Sequence, residues 1–180
     1  MRSWSLVFLG LTSMTAYGAI GDAPTFRFPQ VARYGGIVQV ANAAEPPQRG
    51  AKIVFDITAD SNPEELNKGL ESVARYLNLN ADAGFKPADV KLALVLHGAA
   101  TKAALGDLAY AKHTAAATNP NRELMRELKS LGVEVYVCGQ SLARHEFVAA
   151  DVASEVSLAT SAMTVTANKQ QAGYAYVSIH

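Results

Sequence analysis

Gly132-Val133-Glu134-Val135-Tyr136-Val137-Cys138-Gly139-Gln140-Ser141-Leu142-Ala143-Arg144-His145 changes character at its middle. Residues 133–137 are β-branched and aromatic, side chains that fit a pleated, half-buried surface, so they read as a short strand. Gly139 breaks the run, and Gln140-Ser141 open a short helix running towards Phe147. Between the two sits Cys138, the only cysteine of the chain. A thiol at a strand's end, facing a helix start, lies near unpaired N–H groups and the positive end of the helix dipole. Both favour the thiolate, which is the nucleophilic form. A small apolar side chain buried at the sheet edge fits the same position.

Outward from this segment, strands and helices alternate. Lys52-Ile53-Val54-Phe55-Asp56-Ile57-Thr58 reads as the first core strand. Asn62-Pro63-Glu64-Glu65 predicts a helix start, with Asn62 as cap, Pro63 in the first turn and Glu65 closing a capping box. Leu66, Leu70, Val73 and Leu77 then recur on one helical face. Residues 90–96 are nearly continuous in apolar character, as suits a strand covered on both faces, and they end at His97-Gly98. The alanine-rich stretch 99–118 predicts a helix and a mobile loop. Asn119 is the expected cap of the next helix, whose buried face is Leu124, Leu128 and Leu131 and whose stop is Gly132. Residues 156–158 read as a short fourth strand or a turn. Residues 159–171 read as a helix weakened by Thr160, Thr164 and Thr166, and 174–179 as a last strand. The alternation predicts a three-layer α/β fold, a mostly parallel sheet of about five strands with helices on both faces.

The N-terminus has the pattern of an export signal. Arg2 supplies positive charge, and Leu6-Val7-Phe8-Leu9-Gly10-Leu11 begins an apolar core of about a dozen residues, too short to span a bilayer. Ala16-Tyr17-Gly18 offers a small-x-small cleavage site, which makes 1–19 the expected signal peptide and the periplasm the expected location. Residues 20–50 are punctuated by Pro24, Pro29, Gly35-Gly36 and Pro46-Pro47 but too apolar for a solvated linker. They are expected to form an arm on the domain, 51–180, or on a neighbouring subunit, and 37–40 has the composition of a short strand. With 16 basic and 16 acidic residues and no basic stripe, nothing points to nucleic acid or an anionic membrane. No membrane span is expected once the signal is removed.

In open α/β sheets ligands sit beyond the C-terminal ends of the strands. His97 and Cys138 both fall at such ends. If their strands are neighbours, about 4.8 Å apart, the imidazole can take the thiol proton or, as imidazolium, stabilise the thiolate. Backbone N–H groups of Gly139, Gln140 and Ser141 would then hold an anionic sulfur, with Arg144 or His145 adding positive charge. Hydrogen bonding of His97 within its own loop, and simple solvation of Arg144, are the bland alternatives. The histidines show no i, i+4 pair and the chain has no CxxC, so no metal is expected. No Walker A loop, no GxGxxG and no GxSxG elbow appears, and no cofactor is expected. One cysteine cannot run an intramolecular dithiol cycle.

The strand-end His97-Gly98, the Asn119-Pro120-Asn121 helix start, the run into Cys138-Gly139-Gln140-Ser141-Leu142 and the closing Gln171-Ala172-Gly173-Tyr174 resemble the DsrE/DsrF-like family, more narrowly its exported members. The resemblance implies flavodoxin-like layering and assembly as a trimer or hexamer. It also implies, in sulfur-relay members, a cysteine in this loop that carries sulfur as a persulfide between proteins. That role falls on Cys138, with a sulfur donor or acceptor protein, or a small sulfur species, as partner. The relay members are cytoplasmic, whereas this chain has the pattern of an exported one. Where many members have a glycine after the short helix, this chain has His145-Glu146-Phe147. Two other functions fit the residues: a binding or assembly module with an inert buried cysteine, and a redox sensor forming an intersubunit disulfide.

Overall fold

The structure, a computed structural model, describes residues 25–180. The expected signal peptide, 1–19, and residues 20–24 of the arm lie outside the described residues. Five strands, β1 (Lys52–Ile57), β2 (Lys91–Leu96), β3 (Glu134–Cys138), β4 (Ser157–Ala159) and β5 (Ala175–Ile179), pair in the order β4-β3-β2-β1-β5. Every pairing is parallel. The helices are α1 (Lys68–Asp82), α2 (Asp107–His113), α3 (Arg122–Ser130), α4 (Gly139–Arg144) and α5 (Ala162–Gln171).

Strand order and helix placement follow from one rule. Crossovers between parallel strands are right-handed, so their helices stay on one face while the order advances and change face when it reverses. From β1 to β4 the order advances, and α1, α2 and α3 share a core with Phe55, Ile57, Leu92, Leu94, Leu96, Val135 and Val137. The chain then returns from β4 to β5 at the opposite edge, and α5 packs on the other face with Val54, Ala93, Val95 and Cys138. Only Ala162 and Val165 of α5 are buried there, a thin cover compared with Leu70, Val73, Ala74 and Leu77 from α1 alone. Central β2 is buried on both faces from Leu92 to Leu96, which explains its unbroken apolar run.

Two helix starts differ from expectation, both for tertiary reasons. The cap of α1 is Asn67, not Asn62: its side-chain oxygen accepts from the N–H of Gly69 at 2.9 Å and of Leu70 at 3.3 Å. Asn67 is itself held by Asn121 Oδ1 and by the carbonyl of Ala59, and the Asn62 box is left as a turn. Asn119 donates to the carbonyls of Ala103 and Leu105, so α3 starts only after Asn121. Residues 99–118 resolve into a 3-10 segment, Gly98–Ala104, followed by α2. Of the strand expected at 37–40, only an isolated antiparallel bridge between Ile37 and Arg27 forms.

The arm packs on its own domain. Asn78 of α1, fully buried, accepts from the N–H groups of Gln30 and Val31 and donates to the carbonyls of Val31, Tyr34 and Gly35. Gly35, at φ 62°, lies so close to α1 that a Cβ would stand 2.2 Å from the backbone nitrogen of Arg75. Asn78→Ala is therefore expected to release the arm. The freed backbone groups can rehydrate, which limits the cost to about 2 kcal/mol. Urea unfolding reads the stability, and new proteolytic cuts within 30–48 report the detachment.

Candidate functional site

The parallel register pairs Leu96 with Val137, so His97 and Cys138, one step further, stand side by side at the C-terminal ends of adjacent strands. The period of two along each strand puts both on the α5 face, with Asp56 of β1 and Tyr176 of β5. The imidazole turns towards β1. His97 Nε2 is 2.6 Å from Asp56 Oδ1, and the Tyr176 hydroxyl donates to Asp56 Oδ2 at 2.5 Å. This hydrogen bond to a carboxylate is the main reason the Tyr176 phenol is held above its ordinary value. Tyr176, Asp56, His97 and Cys138 thus form a row across four strands.

Cys138 is 6% exposed, and its sulfur makes no hydrogen bond among the described residues. It closes β3 and caps α4, clustered with Val54, Ala93, Val95, Ala162 and Val165. Gly139 is needed by space: a Cβ there would meet the carbonyl oxygen of Ala159 at 2.9 Å. Gln140 is exposed and its amide donates to the carbonyl of Thr160 at 3.3 Å, so the start of α4 leans on the β4–α5 connection. Ser141 is buried and its hydroxyl is fully used. Thr101 donates to the carbonyl of Gly98, Ser141 donates to Thr101 Oγ1 at 2.7 Å, and the N–H of Gly98 donates to Ser141 Oγ at 2.9 Å. Ser141 therefore fixes the loop after His97, and any contact it makes with an anion would come from its N–H.

Arg144 is exposed, and its side chain makes no hydrogen bond or ion pair among the described residues. His145 donates from Nε2 to the carbonyl of Gly98 at 2.9 Å and stacks on Phe147, a second tie between α4 and the loop after β2. Glu146 follows at φ 59°, the left-handed conformation that a glycine adopts without strain. Glu146 belongs to the His145-Glu146-Phe147 segment, where the resemblance leads to the expectation of a glycine after the short helix. Glu146→Gly should raise stability by up to about 1 kcal/mol, read as an upward shift of the urea midpoint.

Asp56 was not singled out from the sequence, although the signal was present. A carboxylate inside an apolar core strand must find donors if it is to be buried. Its side chain is 14% exposed and has two. What periodicity could not supply was the order of strands that brings β5 and β2 to either side of β1. A groove of about 820 Å³ lies between the arm and the start of β1, at the opposite end of that strand from Asp56. It contains none of these four residues, so chemistry rather than cavity size places the site here. Among the described residues no group of three or more histidine, cysteine or acidic side chains is arranged to hold a metal ion.

Among solved structures, a protein of unknown function from Methanobacterium thermoautotrophicum, MTH1491, matches with a TM-score of 0.54 at 19% identity. The match covers 72% of this chain and 99% of that one, and at this identity it speaks to the fold alone. No curated protein matches the chain. The model of the DsrE/DsrF-like family matches residues 52–179, and the chain belongs to that family.

Proposed function

We propose that this DsrE/DsrF-like chain is a periplasmic sulfur carrier in which Cys138 accepts sulfane sulfur as a persulfide and passes it to another molecule. One observation carries the proposal: Cys138 stands beside His97 at the sheet's C-terminal edge, and His97 is anchored to the partly buried carboxylate of Asp56. The Cys138 proton goes to the imidazole, and the thiolate attacks the outer sulfur of a donor persulfide or polysulfide. One S–S bond forms as another breaks, and the donor leaves as a thiolate with the bonding electron pair. No net oxidation occurs, so no cofactor is required. With one cysteine per chain, the onward step must be attack on the outer sulfur by a nucleophile of another molecule, a protein thiol or a small sulfur species, which releases the Cys138 thiolate.

Access to the sulfur requires α5 to yield locally, which its two buried side chains favour. The proposed location rests on the pattern of 1–19, and N-terminal sequencing of the exported protein tests it. Assembly into a trimer or hexamer is supported by large apolar side chains on the surface, Leu108, Val148, Leu158 and Met163 among them. The mass of the native protein in solution reads this directly.

A second function, a binding or assembly module with an inert thiol, is favoured by the burial of Cys138. Native labelling with a small alkylating reagent separates the two. A carrier labels at a rate well above that of global unfolding, whereas an inert thiol labels only as the protein unfolds.

A further inference from the structure

The sheet face beside Cys138 holds more than the histidine. Asp56 sits between two donors, the ring of His97 at 2.6 Å on Oδ1 and the hydroxyl of Tyr176 at 2.5 Å on Oδ2. With the Tyr176 hydroxyl donating to Oδ2 and a ring nitrogen facing Oδ1, the carboxylate is the acceptor in both contacts. The proton of neutral His97 must therefore sit on Nε2, and Nδ1, which has no hydrogen-bond partner among the described residues, keeps its lone pair. A base needs that lone pair.

We propose that Asp56 and Tyr176 are positioning residues that hold His97 in the Nε2–H tautomer, so that Nδ1 is the atom that takes the proton of Cys138. This rests on the proposal that Cys138 carries sulfur. The step is a proton transfer: the S–H bond of Cys138 breaks, an N–H bond forms at Nδ1, and the resulting imidazolium is held by its hydrogen bond to Asp56. When the donor's thiolate leaves, Nδ1 returns the proton to it. Asp56 accepts hydrogen bonds throughout and gains no proton.

Tyr176 has a separate part in this arrangement. β5 is an edge strand paired only with β1, and Tyr176 is 44% exposed, so core packing does not require its hydroxyl. By donating to Oδ2 it fixes the rotation of the carboxylate and leaves Oδ1 for the imidazole. It also decides what an amide would do in the place of Asp56. In Asp56→Asn, the Tyr176 hydroxyl donates to the amide oxygen, which turns the NH2 group towards Nε2. Nε2 must then accept, and the ring proton moves to Nδ1, the tautomer that cannot act as the base.

Two readouts on the same proteins test the inference. Long-range proton–nitrogen NMR reports the tautomer of His97, and iodoacetamide labelling reports the reactivity of native Cys138. The wild type is expected to show the Nε2–H tautomer. Asp56→Asn should show Nδ1–H, with labelling slowed by at least about tenfold and the circular dichroism of the native fold retained. Tyr176→Phe should keep the wild-type tautomer and label a few-fold more slowly, and because Tyr176 is exposed it guards against a folding defect in the other variant. An Nδ1–H tautomer in the wild type overturns the inference. So does a reversed tautomer in Asp56→Asn with labelling within twofold of wild type. Failure of the sulfur-carrier proposal is distinguishable, because the wild-type thiol then labels only on unfolding whatever the His97 tautomer.

Discussion

His97→Ala is expected to slow the loading of sulfur onto Cys138 by about a hundredfold, while Cys138→Ser abolishes it. The two variants separate capacity from rate. Cys138 is the only thiol in the chain, so without it no persulfide forms. Without His97 the thiol remains, but its proton must pass to water, and the loss follows from removing a positioned general base. Loading is followed as the intact mass after timed exposure to polysulfide. His97→Ala should reach the same final mass as the wild type, only later. Equal rates in the two proteins would mean that the strand-end neighbours do not cooperate. The hydroxyl of Cys138→Ser nearly matches the thiol in shape, so the sheet edge and the start of α4 should stay intact.

The largest loss of stability is expected at Arg122. Its guanidinium reaches Glu155 through Nε at 2.8 Å and Nη2 at 3.2 Å, and Asp107 through Nη1 at 2.5 Å. The Glu155 side chain is 4% exposed. Burial pushes its carboxyl upward most strongly, but the hydrogen bonds from Arg122, the Glu155 N–H and Ser154, with the charge of Arg122, together outweigh that and hold it below the ordinary glutamate value. Arg122→Met leaves Glu155 as a buried carboxylate with no cation, at a cost of about 3 kcal/mol or more. The pH dependence has a definite sign. A carboxyl depressed in the folded state stabilises the protein above its unfolded value, near pH 4.3, and the gain disappears as pH falls through the folded value. The gap between wild type and Arg122→Met in urea should therefore be full at high pH and shrink on acidification. Glu155 protonates first in the variant, where burial without Arg122 holds the carboxyl above its ordinary value, and only later in the wild type. A gap independent of pH would place the loss in packing instead.

Much of the fold was legible because it rests on local pattern. β1, β2 and β3 are short apolar runs ended by polar residues or glycine, and their alternation with helices leaves a parallel sheet as the simple solution. Helix starts were less legible. Asn62-Pro63-Glu64-Glu65 has the better capping pattern, yet Asn67 caps α1 because Asn121 and Ala59, distant in sequence, fix its position. Local hydrogen-bond competition is worth about 1 kcal/mol, and a buried tertiary network exceeds it. The candidate site divides in the same way. Cys138 and His97 were visible as residues at strand ends, but their adjacency is a property of the β3-β2 pairing. Asp56 was visible only as a carboxylate in an apolar strand, and its link to Tyr176 was hidden altogether, since β5 joins β1 only through the reversal of strand order. Ser141 was legible for its backbone N–H, and the tie of its hydroxyl to Thr101 and Gly98 comes from loop geometry that no spacing encodes.

The intact mass of native wild-type protein after incubation with polysulfide, read before and after treatment with a thiol reductant, bears most directly on the role of Cys138. A gain of one sulfur atom per chain is expected, located on the peptide containing Cys138 and removed by the reductant. An unchanged mass, from a protein whose thiol labels only once it is unfolded, would contradict that role.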